Sequence, residues 1–160
     1  MYIHATLAQI NFNMSTSTNS PAMPEQIASF LEEQSVVTIA TSIDNQPYCA
    51  SCYFAFVPGD NLLAFKSDSD TRHIEEALQN NLVGGTVLPD KITQAKPKGV
   101  QFTGLFSKAE GSMGDKAKKA YLRKYPVAGI FRGDIWVIEL SKIKFTDNTL
   151  VFGKKTLWER

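Results

Sequence analysis

The sequence contains few of the residues that build metal and disulfide sites. Among its 160 residues there are two cysteines and two histidines. A structural zinc site needs about four ligands, mostly Cys and His, and a disulfide framework needs several cysteine pairs, so neither is predicted. Cys49 and Cys52 have C-x-x-C spacing, but they fall in a predicted strand, where residues three apart point to opposite faces. We interpret them as ordinary thiols of a protein in a reducing cytoplasm.

Long apolar runs and a large net charge are also absent. No stretch reaches the roughly 20 apolar residues that span a membrane. The mildly apolar N-terminus is not preceded by the Lys or Arg residues of a secretion signal. The formal net charge is +1, and such a balance argues against a dedicated nucleic-acid-binding protein and against binding to acidic membranes.

The nearly neutral total combines two oppositely charged parts of the chain. Residues 25–90 contain ten acidic and two basic side chains, whereas residues 91–124 contain nine basic and two acidic ones. The basic stretch suits an anionic small molecule, the acidic part of a second subunit, or nucleic acid, and it equally suits a solvated face. The charge pattern leaves these interpretations open.

The first 24 residues differ in composition from the rest of the chain. Residues 11–24 are rich in Ser, Thr, Asn and Pro and offer little to bury. We therefore expect residues 1–24 to form a flexible lead-in, in which Met14 is an alternative start to Met1. Residues 25–160 have an ordinary globular composition and the length of one domain.

Alternating apolar residues and turn signals predict a mainly β domain with short helices. We expect about six strands, at 36–41, 48–57, 62–66, 82–88, 99–106 and 134–140, the last with an extension toward 145. Helical spacing predicts three helices, at 25–34, 71–80 and 115–125. Strands joined by short turns favour a small, closed or partly closed antiparallel barrel.

The best candidate site lies at 66–73, where the third predicted strand meets the second predicted helix. A helix start carries unpaired backbone N–H groups and the positive end of the helix dipole. Lys66 and Arg72 add positive charge, and Ser67 and Thr71 add hydroxyl groups, so the segment predicts a small phosphate site. The alternative is a well-capped helix with solvated charges, in which Asp68, Ser69 or Asp70 provides the cap.

Other catalytic patterns are weak in this sequence. The glycines form neither a P-loop nor a dinucleotide-binding fingerprint, and no nucleophile elbow accompanies His73. Glu75 and Glu76 fall on the second predicted helix, where we interpret them as solvated side chains. No metal ligands and no catalytic acid or base are identified.

The order of these segments resembles the FMN-binding split-barrel family of pyridoxamine 5′-phosphate oxidase-like proteins. The resemblance covers roughly residues 25–150. It is carried by the strand at 36–41, the turn with Pro47, the strand at 62–67 that runs into Thr71-Arg72-His73, and the segments 82–87 and 99–104. The later segments 119–128 and 143–155 are similar to a small, functionally uncharacterised bacterial branch of the family.

The resemblance implies a six-stranded antiparallel split barrel and a homodimer with FMN in the grooves between the subunits. In the family, the strand end and the helix start hold the FMN phosphate, and a glutamine on a later strand often meets the cofactor. The matching residues here are Lys66, Ser67, Thr71, Arg72, His73 and Gln101. His73 replaces the usual lysine, which reduces the positive charge near neutral pH. The substrate motif of true pyridoxamine-phosphate oxidases is not evident at 156–160.

The leading hypothesis is therefore an FMN-binding protein, specifically a flavin-dependent oxidoreductase whose substrate and electron donor are unknown. The alternative is a non-catalytic binder of flavin or haem, in which aromatic residues such as Tyr53, Phe102 and Trp136 offer stacking surface. A nucleic-acid contact through residues 91–124 is a third and less favoured hypothesis.

Overall fold

The computed structural model describes residues 21–149, 153 and 155–160. Most of the predicted lead-in, 1–24, and the alternative start at Met14 lie outside the described residues. The helices are α1 (Glu25–Glu33), α2 (Arg72–Gln79) and α3 (Gly111–Lys124), and a 3₁₀ segment covers Pro126–Ile130. The strands are β1 (Val36–Ile43), β2 (Gln46–Val57), β3 (Leu62–Ser67), β4 (Leu82–Val87), β5 (Lys98–Lys108), β6 (Asp134–Asp147) and β7 (Lys155–Glu159).

Six of the strands close into a barrel. The sheet order is β3-β2-β1-β4-β5-β6-β7, and β6 pairs a second time with β3, which completes the ring. Each pairing is antiparallel, so the predicted six-stranded antiparallel barrel is confirmed. The seventh strand, β7, was not predicted. The first half of β6 pairs with β3, and the second half pairs with β7.

The apolar core fills the barrel and continues under α1. Large side chains such as Phe54, Phe65 and Ile138 are fully buried there, and Phe30 of α1 places its ring 5.2 Å from that of Phe145. Burial of a side chain of this size contributes about 1.5–3 kcal/mol. A second cluster lies under α3 and includes Val57, Leu62, Ala64, Ala117 and Val137.

The glycine pair in β4, Gly84 and Gly85, permits a close approach of strands. A Cβ atom at Gly85 would lie 2.5 Å from Cζ of Phe102 and would also overlap the backbone oxygen of Thr38. The register shift that marks a bulge lies in the neighbouring strand β5, between Thr103 and Gly104. Only glycine therefore fits at position 85 without movement of β1.

Helices cover only part of the barrel. In β2 the residues Phe54–Val57 are buried on both faces, but the first half of the strand alternates between half-buried and exposed side chains. Only the second half of β2 is therefore covered on both faces, because α3 reaches only that half. Cys49 is exposed and Cys52 is half-buried on the opposite face, as the strand assignment predicted, and both are free thiols.

The uncovered surface is here called the outer face, and it lies across β2, β1, β4 and β5. Thr38 pairs in register with Ser51 on one side and Thr86 on the other, and Thr86 pairs with Gln101. The outer face comprises Val36, Thr38, Ala40, Cys49, Ser51, Tyr53, Leu82, Gly84, Thr86, Gln101, Thr103 and Leu105.

In the described part of the chain, no helix is both long and apolar enough to cross a membrane.

Candidate functional site

The candidate site lies where β3 ends and α2 begins. β3 pairs with β2 only through Phe54–Val57 of β2. The first half of β2 thus extends beyond the end of β3, and α2 packs beside it: Arg72 contacts Tyr48, and His73 contacts Cys52. The opening between β2 and β3 is the split in the barrel, and the start of α2 occupies it.

Arg72 is held in place from two directions. Its Nε donates a hydrogen bond to Oε1 of Glu76 at 2.7 Å, and its guanidinium carbon lies 4.3 Å from the centre of the Tyr48 ring. The two contacts use Nε and one face of the guanidinium group. The Arg72 side chain is nevertheless 56% exposed, so its terminal NH₂ groups are presented to a ligand with few rotamers left to order.

Glu76 is buried, and the interpretation of it as a solvated side chain is wrong. Its side chain is only 12% exposed. Oε1 accepts the bond from Arg72, and Oε2 accepts a hydrogen bond from the Thr41 hydroxyl at 2.5 Å. These hydrogen bonds lower the pKa of Glu76, so it stays ionised and holds Arg72. Its neighbour Glu75 is exposed, as expected.

Three polar side chains meet at the start of α2. Ser67 Oγ lies 3.1 Å from Thr71 Oγ1 and 3.1 Å from Nε2 of His73. Thr71 is the N-cap residue of α2 and donates its hydroxyl hydrogen to the carbonyl oxygen of Asp68. The expected cap from 68, 69 or 70 is therefore wrong, because the helix begins one residue later than such a cap requires. Ser67, Thr71 and His73 are thus brought together at the start of α2, and Arg72, the first residue of that helix, makes its contacts with Glu76 and Tyr48.

The half-buried part of the site keeps its titratable groups uncharged near neutral pH. Burial lowers the pKa of His73 and raises the pKa of the Cys52 thiol to about 11. His73 Nε2 lies 3.8 Å from Cys52 Sγ. Both shifts favour the neutral forms and oppose a thiolate–imidazolium pair of the kind found in cysteine nucleophiles.

Lys66 points away from this cluster. Because side chains alternate along a strand, it lies on the opposite face of β3 from Ser67. Its ammonium group donates to the carbonyl oxygens of Ala128, at 2.7 Å, and of Phe131. In this arrangement Lys66 fixes the end of the 3₁₀ segment, and a contact with a phosphate would require it to leave both carbonyls.

Gln101 is also distant from the cluster. It lies on the outer face, in the middle of β5, opposite Thr86 and Lys144. A groove of about 510 Å³ opens beside it, with Phe102, Trp158 and Leu157 among its lining residues. Within one chain, Gln101 and the phosphate cluster are separate sites.

Acidic residues border the cluster on its solvent side. Asp68 and Asp70 line a recess of about 370 Å³ that also contains Arg132 and Asp134. Within residues 21–149, 153 and 155–160, no group of three or more His, Cys, Asp or Glu side chains is arranged to hold a metal ion. The recess therefore gives no reason to add a metal to the site.

Sequence reasoning missed the residues that position Arg72. Tyr48, Thr41 and Glu76 come from β2, β1 and α2, and the sequence spacing signals only one of their contacts. That signal is the four-residue separation of Arg72 and Glu76 on a helix, which is typical of an ion pair. The contacts with Tyr48 and Thr41 depend on where α2 packs in the barrel.

Comparison with solved structures places the fold. The chain superimposes on a haem-binding protein from Mycobacterium smegmatis with a TM-score of 0.71 and 12% identity, over 87% of this chain and 60% of that protein. It also superimposes on FAD-binding proteins from Mesorhizobium loti (TM-score 0.58, 21% identity, 76% of this chain and 92% of the other) and M. smegmatis (0.62, 15%, 78% and 97%). At these identities the likeness shows the split-barrel fold and nothing further about function.

Sequence comparison identifies much nearer relatives. No protein-family model matches the chain. The UPF0306 proteins YhbP of Salmonella paratyphi B and Salmonella newport are 40% identical to it over 134 residues, which cover 84% of this chain and 91% of YhbP. Identity of this level over nearly the whole of both proteins shows common family membership, and the chain therefore belongs to the UPF0306 family of split-barrel proteins.

Proposed function

We propose that this protein binds FMN through a phosphate site at the junction of β3 and α2. The observation that carries the proposal is the arrangement of Arg72. Glu76 and Tyr48 fix its guanidinium group, and its side chain stays 56% exposed at the helix start where the hydroxyls of Ser67 and Thr71 lie 3.1 Å apart. A guanidinium fork and neighbouring hydroxyls are the donors that a phosphate monoester requires.

The donor set fits a phosphate group without Lys66. Arg72 supplies a permanent positive charge, Ser67 and Thr71 supply hydroxyls, and the first turn of α2 adds backbone N–H groups. His73 stands beside Ser67 within hydrogen-bonding distance. We assign the phosphate role to these four residues, and the predicted role of Lys66 remains to be tested by mutation.

We further propose that the protein is a flavin-dependent oxidoreductase. Bound FMN would supply the electron-transfer chemistry, and the protein would supply binding, orientation and electrostatics. The fold likeness to FAD-binding proteins supports flavin as the cofactor class. The substrate and the electron donor are not assigned, and neither are catalytic residues.

A homodimer is part of the proposal, with the outer face as its interface. The centre of this face is formed by small residues, such as Thr38, Ala40 and Gly84. Large apolar side chains surround them, including Tyr53, which is 62% exposed, and Leu82, which is 59% exposed. An apolar rim around a flat centre favours burial against another protein surface. Gln101 lies on this face, so in a dimer built on it Gln101 would face the other subunit.

The FMN proposal is tested by titration of the purified protein with FMN, followed through flavin fluorescence and absorbance. Loss of the Arg72 contacts in Arg72→Ala should cost about 1.5–3 kcal/mol for each charge-assisted hydrogen bond, which weakens binding roughly 10-fold or more. Arg123→Ala removes an exposed arginine from α3 and is the matched control, expected to bind like the wild type. A wild-type protein that is isolated colourless and does not bind added FMN would refute the proposal.

The dimer proposal is tested by light scattering coupled to gel filtration. Ser51→Arg places a long charged side chain in the centre of the outer face and should shift the protein from the mass of two chains to that of one. Ser112→Arg adds the same side chain to the exposed start of α3 and should leave the mass unchanged. A wild-type protein that is monomeric at every concentration would rule out the dimer.

Haem binding is the second candidate, because the structural neighbour of TM-score 0.71 is a haem-binding protein. A planar porphyrin would occupy the groove beside Gln101 rather than depend on the phosphate cluster. Haem titration separates the two candidates: haem specificity predicts a Soret band shift that Leu157→Glu abolishes and Arg72→Ala preserves. If haem binds in neither the wild type nor the variants while FMN does, this candidate is eliminated.

A further inference from the structure

The Ser67 hydroxyl has two neighbours for its single hydrogen. Ser67 Oγ lies 3.1 Å from Thr71 Oγ1 and 3.1 Å from Nε2 of His73. Thr71 already donates its own hydrogen to the Asp68 carbonyl at 2.9 Å, so toward Ser67 it acts as an acceptor. A neutral His73 accepts the Ser67 hydrogen at Nε2 in one tautomer and donates from Nε2 in the other. Whether the Ser67 hydrogen is free for a ligand therefore depends on His73.

Protonation of His73 removes this ambiguity. An imidazolium donates from both ring nitrogens, so Nε2 no longer accepts a hydrogen bond, and the Ser67 hydrogen is left for Thr71 or for a ligand oxygen. Protonation also adds a positive charge one residue from Arg72. Both changes favour an anionic ligand at the cluster.

The charges around His73 come first from its own helix and the loop before it. Arg72 is the adjacent residue, and the ionised Glu76 is bound to Arg72 and to the Thr41 hydroxyl. Asp68 and Asp70 are exposed in the loop. Carboxylic acids and guanidinium groups ordinarily ionise outside the range of about pH 5–8, in which imidazole titrates.

The strands that pack against His73 contribute little further charge. β2 contributes the Cys52 thiol, which is neutral because its pKa is raised to about 11. β3 contributes Lys66, whose ammonium group is turned toward the 3₁₀ segment. Arg132 and Asp134 lie farther out, in the recess beside Asp68. His73 is thus the group in this cluster whose charge changes near neutral pH, and its burial keeps the imidazole uncharged at pH 7 in the free protein.

We propose that His73 couples phosphate binding to proton uptake, so that the site takes up a phosphate monoester together with one proton. This inference rests on the proposed function of the site. It gives the cofactor site a pH response that a lysine in the same position would lack, because a lysine stays charged throughout this range. The protein would hold FMN more tightly at slightly acidic than at slightly alkaline pH.

The test measures Kd for FMN between about pH 5 and 8 in wild type, His73→Lys and His73→Gln. The ratio of wild-type to His73→Lys Kd cancels the titration of the FMN phosphate itself, because both proteins bind the same ligand. Uptake of one proton changes affinity by up to about tenfold per pH unit. We expect the wild-type Kd divided by the His73→Lys Kd to fall roughly tenfold from pH 8 toward pH 5. The His73→Gln Kd divided by the His73→Lys Kd should not change with pH.

Imidazole NMR supplies a second measurement on the wild-type sequence. The chain has only two histidines, His4 and His73, so His4→Ala assigns both signals. By linkage, FMN should raise the pKa of His73, and riboflavin, which lacks the phosphate, should not.

The outcomes separate the inference from the function on which it rests. A Kd ratio that is constant with pH, together with a His73 pKa that FMN does not change, would overturn proton coupling while FMN binding stands. Absence of FMN binding in the wild type and His73→Lys at every pH would overturn the proposed function itself.

Discussion

Replacement of Gly85 by alanine tests the packing of the barrel beneath the outer face. The added methyl group would point at the Phe102 ring, with Cζ at 2.5 Å, and would overlap the Thr38 carbonyl oxygen on the other side. The phenyl ring can rotate, but the carbonyl belongs to the paired strand β1 and cannot move alone. Overpacking of this kind costs about 1–3 kcal/mol. For a domain of this length, that lowers the melting temperature by about 2–12 °C.

Gly84→Ala is the matched control, because it is the adjacent residue in the same strand. Its added methyl group would meet only the backbone oxygen of Phe102, at an ordinary contact distance of 3.5 Å. A strain-free replacement of glycine by alanine stabilises by about 0.4–1 kcal/mol through the unfolded chain. Thermal unfolding followed by circular dichroism measures both variants, with gel filtration to confirm the same assembly state. Equal melting temperatures for the two variants would show that β1 and β5 do not approach Gly85 as described.

Three further predictions concern the candidate site and its surroundings. Lys66→Ala should release the 3₁₀ segment and speed tryptic cleavage after Arg132, while FMN affinity changes by less than about threefold. A loss of FMN affinity as large as that in Arg72→Ala would instead identify Lys66 as a phosphate ligand. Cys52 should react much more slowly with iodoacetamide at pH 8 in the folded protein than in the protein unfolded by urea, because burial raises the pKa of its thiol to about 11; peptide mapping that finds equally fast modification of Cys52 in both states would contradict this. Because the folded-state pKa of Glu76 is lowered, its stabilising effect is present at neutral pH and is lost as the pH falls below about 4.5. The stability gap between wild type and Glu76→Gln should therefore close in acid, and a gap that persists there would indicate a packing effect.

The barrel was largely predictable because its signals are local. Alternation of apolar residues identifies six strands, and the turn residues Asp44, Asn45 and Asn61 adopt the positive φ angles that such turns require. The strand β7 has no comparable signal. It is five residues long, and its one buried side chain, Trp158, is buried because β7 pairs with the second half of β6.

The candidate site was predictable only where its residues are neighbours in sequence. Ser67, Thr71 and His73 meet because a strand end and a helix start are joined by a short loop. The hydrogen bond from Lys66 to the Ala128 carbonyl could not be predicted from the sequence. It forms because β6 pairs with β3 and thereby brings the 3₁₀ segment close to Lys66. The burial of Glu76 likewise depends on Thr41, which lies 35 residues away in the chain.

We propose that this protein recognises the phosphate of FMN through Arg72. FMN and riboflavin differ only in that phosphate, so the ratio of their affinities in wild type and in Arg72→Ala is a direct test. We expect the wild type to prefer FMN by roughly tenfold or more, and Arg72→Ala to bind the two ligands almost equally. Equal affinity in the wild type, or an undiminished preference for FMN in Arg72→Ala, would contradict it.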